Sequence, residues 1–238
     1  MKEKIYTIPV NEAFDEDSEC PFCSLYKKTE NDALNYVLGP SYMEEDIREE
    51  TNKLGFCKHH ITKMFAAQNR LGVALMTDTH LKQINKDLGE ILENEQNTKK
   101  AIFKKLPPSP LKDYTEVLSD SCFVCKRIDK IMKSYTETFF YLWKRESEFR
   151  DKVKSGRGFC INHFSNLVSN ARERMNANDF TNFLNILVPI QKENLKRIEN
   201  ELDWFIQKFD YLNHDKPWGT SKDALERAIL KINSIYTE

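Results

Sequence analysis

The feature that most constrains the fold of this chain is a duplicated set of cysteines and histidines. Each copy has a Cys-x2-Cys pair, and 33 or 34 residues separate that pair from the cysteine of a Gly-Phe-Cys-x2-His segment. The offset between copies is 102 residues at the Cys-x2-Cys pair and 103 residues at the Cys-x2-His pair. The eight residues, copy by copy, are Cys20, Cys23, Cys57 and His60, then Cys122, Cys125, Cys160 and His163. Such agreement indicates an internal repeat, and a repeated sequence predicts a repeated local structure.

Apolar residues after these motifs recur at spacings of three and four, which is typical of helices. The run from Ile128 to Leu142 is the clearest example. Each Cys-x2-Cys pair is therefore predicted to open one helix, and each Gly-Phe-Cys-x2-His segment another. A third helix is expected in each half, around Leu81–Leu92 and Leu195–Phe209, and a last helix carries Leu225, Ile229 and Ile232.

The two halves are separated by a proline-rich stretch, Lys104–Pro110. Proline lacks an amide donor and restricts its predecessor, so a helix cannot continue through this stretch. The chain has only seven glycines and eight prolines in 238 residues, which favours helices over turn-rich β structure. We therefore expect an all-α fold of two homologous zinc-pinned helical units packed together, at residues 1–106 and 111–238, with a C-terminal helical extension.

The ligand types predict zinc. Zn²⁺ binds about four thiolate or imidazole donors in a tetrahedron, and three cysteines with one histidine complete that shell. We expect each copy to hold its own ion, with His60 chosen over His59 because only His60 matches His163 in the repeat. A full shell leaves no open position, so the expected role of the metal is structural.

Two other interpretations of the cysteines stay open. Three cysteines and a histidine can also bind an iron–sulfur cluster, which would give the chain redox chemistry. Alternatively, the cysteines are buried or reducible and bind no metal. A thioredoxin-like motif is disfavoured because it requires a βαβ setting, which the helical pattern does not provide.

Charge and hydropathy limit the partners. The net charge is −1 and the isoelectric point about 6.6, so no positive field is available to attract a nucleic acid. The first residues lack the apolar core of a secretory signal, and no run approaches 18 apolar residues, which argues against a membrane partner. We therefore expect a cytoplasmic protein, in which cysteines serve metal binding rather than disulfides.

Beyond the cysteines, the segment from Trp204 to Arg227 carries further motifs, including Lys-Pro-Trp-Gly. Together with CPFC, CFVC and the two Gly-Phe-Cys segments, it resembles a family of uncharacterised bacterial proteins with duplicated CxxC…GFCxxH motifs. Members are sometimes labelled ABC transporter substrate-binding proteins. The resemblance extends from Cys20 to the final helix and implies that the chain is one entity.

No phosphate loop, nucleophile elbow or open metal site is present, which favours a non-enzymatic role. The leading hypothesis is a zinc-binding helical adaptor with a protein partner. The first alternative is an enzyme or redox carrier using a Cys3His or iron–sulfur site. The second is a small-ligand binder with a pocket near Trp218, lined by Asp210, Tyr211 and Arg227. The sequence leaves the oligomeric state open.

Overall fold

The computed structural model describes residues 5–96 and 108–236 of the chain, and in these ranges it contains α-helices and no strand. The prediction of an all-α fold is confirmed. The helices, in chain order, are α1 Thr7–Asp15, α2 Pro21–Leu38, α3 Glu45–Leu54, α4 Lys58–Ala66, α5 Arg70–Gln96, α6 Pro110–Asp120, α7 Phe123–Arg145, α8 Ser147–Ser155, α9 Ile161–Arg174, α10 Ala177–Gln207 and α11 Ala224–Asn233. Short 3-10 helices lie at Pro40–Met43 and Tyr211–Asn213.

The predicted helix starts are confirmed. Cys20 and Cys122 directly precede α2 and α7, while Cys57 and Cys160 are the N-cap residues of α4 and α9. The expected third helices correspond to α5 and α10, and the last helix to α11. Most of the proline-rich stretch, at 104–107, lies outside the described residues.

The chain forms two compact units that do not follow the two sequence halves. Unit 1 comprises residues 1–28 with 132–238, and unit 2 comprises residues 29–131. The boundaries fall within α2 and α7, so each unit combines segments from both copies of the repeat. The repeat boundaries 1–106 and 111–238 remain a prediction about the duplication, and residue 106 is outside the described part.

Unit 1 is built around an aromatic core. Phe139, on α7, is fully buried, and its ring centroid lies 5.6 to 5.9 Å from those of Phe14, Phe22 and Phe149. Phe159 of the second Gly-Phe-Cys segment lies 6.4 Å from Phe139. Because Phe22 and Phe159 adjoin ligand cysteines in sequence, the same core also positions the cysteines.

Unit 2 has a smaller core, and α5 packs against α3, α4 and α6. Val73 and Met76 of α5 are buried, as is Met64 of α4. Beyond Met76, the residues of α5 are exposed or half-buried. The longest helix of unit 2 therefore buries apolar side chains mainly in its first two turns.

Candidate metal centres

The structure brings the eight predicted residues together, but in exchanged pairs. One group contains Cys20, Cys23, Cys160 and His163, and the other contains Cys57, His60, Cys122 and Cys125. In each group the donor atoms all lie within 4.8 Å of one another. The expectation that each copy of the repeat holds its own ion is therefore wrong, because the Cys-x2-Cys pair of one copy meets the Cys-x2-His pair of the other.

Helix lengths explain the exchange. With a rise of 1.5 Å per residue, the 18 residues of α2 extend about 27 Å, whereas the 10 residues of the returning α3 cover about 15 Å. In the second copy, 23 residues of α7 extend about 34 Å, and the 9 residues of α8 return about 13 Å. In both copies the returning helix is thus shorter than the outgoing one, and the Cys-x2-His pair lies away from the Cys-x2-Cys pair of its own copy.

The three cysteines of the unit 1 site are buried, and His163 is half-buried. Cys20 and Cys160 are 0% exposed and Cys23 is 2% exposed. The Nδ1 atom of His163 lies 3.1 Å from the sulfur of Cys160, 3.4 Å from that of Cys23 and 3.5 Å from that of Cys20. One more contact comes from the residue that follows α11, because the Ser234 hydroxyl donates to the Cys160 sulfur at 3.0 Å.

The unit 2 site has the same arrangement with greater exposure. The Nδ1 atom of His60 lies 3.2 Å from the sulfur of Cys57, 3.4 Å from that of Cys122 and 3.3 Å from that of Cys125. Cys57 and Cys125 are only half-buried, and their sulfurs are 3.8 Å apart. All six cysteines are free thiols.

In the unit 2 site, His60 also contacts a carboxylate through Nε2, the ring nitrogen that does not face the thiols. Glu30, which is 6% exposed, places its Oε1 atom 3.2 Å from His60 Nε2 and 2.7 Å from His59 Nε2. Its Oε2 atom accepts a hydrogen bond from the Lys63 ammonium at 2.6 Å. A carboxylate behind the imidazole fixes ring orientation and directs Nδ1 towards the thiols, as is common for metal-bound histidines. His59, 58% exposed at its side chain, is a partner of this carboxylate rather than a member of the thiol group.

Both Gly-Phe-Cys segments require their glycine. Gly55 has φ +57° and Gly158 has φ +74°, in the left-handed region that favours glycine. A Cβ atom would also lie 2.3 Å from His80 Nε2 at Gly55, and 2.9 Å from Gln191 Oε1 at Gly158. These backbone conformations turn the following cysteine to the start of its helix.

Electrostatics show why thiols so close together favour a cation. Hydrogen bonding to Cys160 and Cys20 raises the pKa of Cys23, and burial with the nearby Cys122 raises the pKa of Cys125. Burial alone would lower the pKa of His163, but hydrogen bonds to Cys160 and Cys20 outweigh it and raise the pKa to about 10. One thiol in each group shifts the other way, because hydrogen bonds lower the pKa of Cys160 and, against burial, that of Cys57. A divalent cation would instead favour three thiolates and a neutral imidazole in each group.

Comparison with known proteins places the chain in a family. The model of a family of unknown function, DUF6062, matches residues 1–238. The chain belongs to DUF6062. No curated protein and no solved structure matches it. The family match does not support the transporter label carried by some proteins of the family that the motifs resemble.

A second polar cluster of this DUF6062 protein lies beside the unit 1 site and was not predicted. Glu19, 4% exposed, pairs with Arg197 at 2.7 Å and lies 3.4 Å from the buried ammonium of Lys231. Burial alone would raise the pKa of Glu19, but Arg197 and Lys231 outweigh it and lower the pKa. Arg157 and Arg227 complete the set, at 3.3 and 3.5 Å from the same carboxylate.

This cluster lines a cavity of about 900 Å³ that includes Arg227 and Asp223. The other residues of the predicted pocket have structural contacts instead. Asp210 caps the 3-10 helix at Leu212 N, and the ring of Trp218 packs against Phe205, with centroids 5.7 Å apart. Tyr211 is 84% exposed. Of the four residues proposed near Trp218, Arg227 lines this cavity.

Among the helices within residues 5–96 and 108–236, none combines the length and apolar character that a membrane-spanning helix needs.

Proposed function

We propose that this DUF6062 chain is a non-enzymatic zinc protein whose two Cys3His sites stabilise helical units that a protein partner recognises. The observation that carries the proposal is the convergence of three thiols on one imidazole nitrogen, in each of two groups.

Donor separations support a single tetrahedral ion. Zn–S bonds of about 2.3 Å and Zn–N bonds of about 2.0 Å place sulfurs about 3.8 Å apart, and sulfur and nitrogen about 3.5 Å apart. The Cys57–Cys125 separation is 3.8 Å, and the sulfur–Nδ1 separations are 3.1 to 3.5 Å. In an iron–sulfur cluster the ligands bind different iron atoms and lie further apart, so these distances favour a mononuclear site over the cluster.

The donor count supports a structural role. Three thiolates and an imidazole fill four positions, leaving none for water or substrate, and their charge makes the ion a weak Lewis acid. Helix N-termini supply further stabilisation, since the Cys160 sulfur accepts from the His163 amide at 3.4 Å and the Cys122 sulfur from the Cys125 amide at 3.5 Å. Metal binding would then contribute folding free energy to each unit.

Exposed apolar side chains support a protein partner. Ile206, Phe209, Tyr211 and Leu212, at the end of α10 and the following 3-10 helix, are each at least 62% exposed. Large apolar side chains close together in sequence at a surface are typical of interaction sites. The chain offers these residues on helical segments, as an adaptor would.

The deciding experiment is elemental analysis, with an absorption spectrum, of anaerobically purified protein. We expect two zinc ions per chain and no visible absorption. Iron with visible bands would instead support the redox alternative, and absence of any metal would exclude both. As a control, the Lys58→Asn variant, altered at an exposed position beside the Cys57 site, should keep both ions.

A further inference from the structure

The two sites differ at the positions that surround the shared ligand set. At the repeat offset of 103 residues, His59 and Lys63 correspond to Asn162 and Asn166. At the offset of 102 residues, Glu30 corresponds to Met132. Unit 2 therefore has a carboxylate, an imidazole and an ammonium where the second copy has one thioether and two amides.

In unit 1 one of these positions, Asn162, contacts the site through Ser234. The Asn162 amide donates to the Ser234 hydroxyl at 3.1 Å, and that hydroxyl donates to the Cys160 sulfur. Lys231 lies in α11, just before Ser234, and its ammonium donates to the backbone carbonyls of Glu19 and Arg157, both at 2.5 Å. Lys231 therefore ties together the two segments that lead into Cys20 and Cys160, and α11 holds the ligand loops in place.

In unit 2 the corresponding positions connect the site to solvent. Oε1 of Glu30 contacts both the buried His60 and the exposed His59, so one carboxylate oxygen joins the ligand histidine to the surface. A carboxylate oxygen with imidazole nitrogens is itself a donor set that Zn²⁺ accepts. Lys63, whose side chain is 40% exposed, supplies the positive charge beside Glu30.

We propose that the unit 2 site exchanges its metal, that His59 and Glu30 form the outer ligand pair through which a divalent cation enters and leaves, and that the unit 1 site keeps its ion. This inference rests on the proposed function, since it requires that both sites bind metal. It adds a difference between the two sites. The unit 1 ion stays bound, whereas the occupancy of the unit 2 site changes with the concentration of free metal.

The test measures zinc-for-zinc exchange in the purified holoprotein. The protein is incubated with an excess of an enriched zinc isotope, and the isotope ratio of the bound metal is followed by mass spectrometry. We expect one of the two equivalents to exchange at least about tenfold faster than the other. In His59→Asn, which copies the residue at position 162, the fast rate should fall by about tenfold with two ions still bound. Lys58→Asn, on the same helical turn, should leave both rates unchanged.

A second measurement assigns the fast ion without any variant. Wild-type holoprotein is treated with N-ethylmaleimide and zinc chelator, and the modified peptides are mapped by mass spectrometry. We expect Cys57, Cys122 and Cys125 to be alkylated before the three cysteines of unit 1.

Two bound ions that exchange at equal rates, or earlier alkylation in unit 1, would overturn the inference and leave the proposed function intact. Faster exchange in His59→Asn would also overturn it, because His59 would then only support His60. If the purified protein contains no bound metal, both the proposed function and this inference are wrong.

Discussion

At the scale of single residues, the eight side chains that converge could be predicted, but the way they pair could not. The repeat register selected His60 over His59, and the Nδ1 atom of His60 does face three thiols. Glu30 was missed because it lies in a helix surface rich in charged residues, where nothing in the sequence distinguishes a buried carboxylate from a solvated one. Its role depends on burial, which the sequence does not specify.

The exchanged pairing is testable by counting ions in double variants. Cys20→Ser with Cys160→Ser alters one site of the structure, so we expect the loss of one zinc equivalent. Cys20→Ser with Cys57→Ser alters both sites, so we expect the loss of two. Elemental analysis distinguishes these results. The reverse outcome, with two ions lost in the first variant and one in the second, would restore pairing within each copy.

Gly158 provides a test of backbone geometry. Gly158→Ala places a Cβ atom in a left-handed conformation, 2.9 Å from Gln191 Oε1, so we expect the free energy of unfolding to fall by about 1–3 kcal/mol. Gly89→Ala is the matched control, because it lies within α5 with no atom within 4 Å of the new Cβ. There we expect a gain of about 0.5–1 kcal/mol from helix propensity. Chemical denaturation measures both, and equal effects would contradict the geometric argument.

At the scale of helices, the sequence predicted the first residues of the helices better than their last residues. The two kinds of motif mark four helix starts, since a thiolate accepts hydrogen bonds from amides that a helix leaves free. The exchange of ligand pairs follows from the lengths of α2 and α7, which depend on where each helix ends. The apolar spacing extends through Leu142 without a break and so indicates a long α7, but the spacing alone does not show which Cys-x2-Cys pair the chain meets on its return.

The buried face of α7 gives a prediction at this scale. Phe139→Ala removes a side chain that contacts several rings of the unit 1 core, so we expect a loss of about 3–5 kcal/mol in the free energy of unfolding. Phe209→Ala, at a position 76% exposed, should change stability by no more than about 0.5 kcal/mol. Thermal and chemical denaturation would compare the two. A similar effect at both positions would mean that Phe139 is not part of a tightly packed core.

At the scale of the whole molecule, the fold class followed from composition and periodicity, whereas the division into compact units did not. A proline-rich stretch is a reasonable boundary when contacts are local in sequence. Here the ligand pairs that meet in unit 1 are about 140 residues apart, as in the pair Cys20 and His163. Contacts at such separation leave no local signal, and a single sequence without an alignment cannot reveal them.

Removing the metal tests the energetic role of both sites together. Treatment with a strong chelator should lower the melting temperature by at least 10 °C, because three crowded thiols and a histidine would lose the cation that holds them. Zn²⁺ should restore the melting temperature, while Mg²⁺ should not, since it prefers oxygen ligands. Circular dichroism during heating measures the change. A melting temperature that is indifferent to the chelator would contradict a structural role for the metal.

The exchanged ligand pairs also affect how the chain is made. Cys20 and Cys23 leave the ribosome long before Cys160 and His163, and at 5–20 residues per second the interval is roughly 7 to 30 seconds. During that time Cys20 and Cys23 have no partner from their own group. Cys57 and His60 find their partners sooner, as soon as Cys125 has been synthesised. Unit 2 can therefore assemble its group of three cysteines and a histidine first on the ribosome, and unit 1 can do so only after His163 has emerged. A prematurely terminated product that ends before Cys160 would carry one complete site at most, so a cell could distinguish it from the finished protein by its exposed thiols.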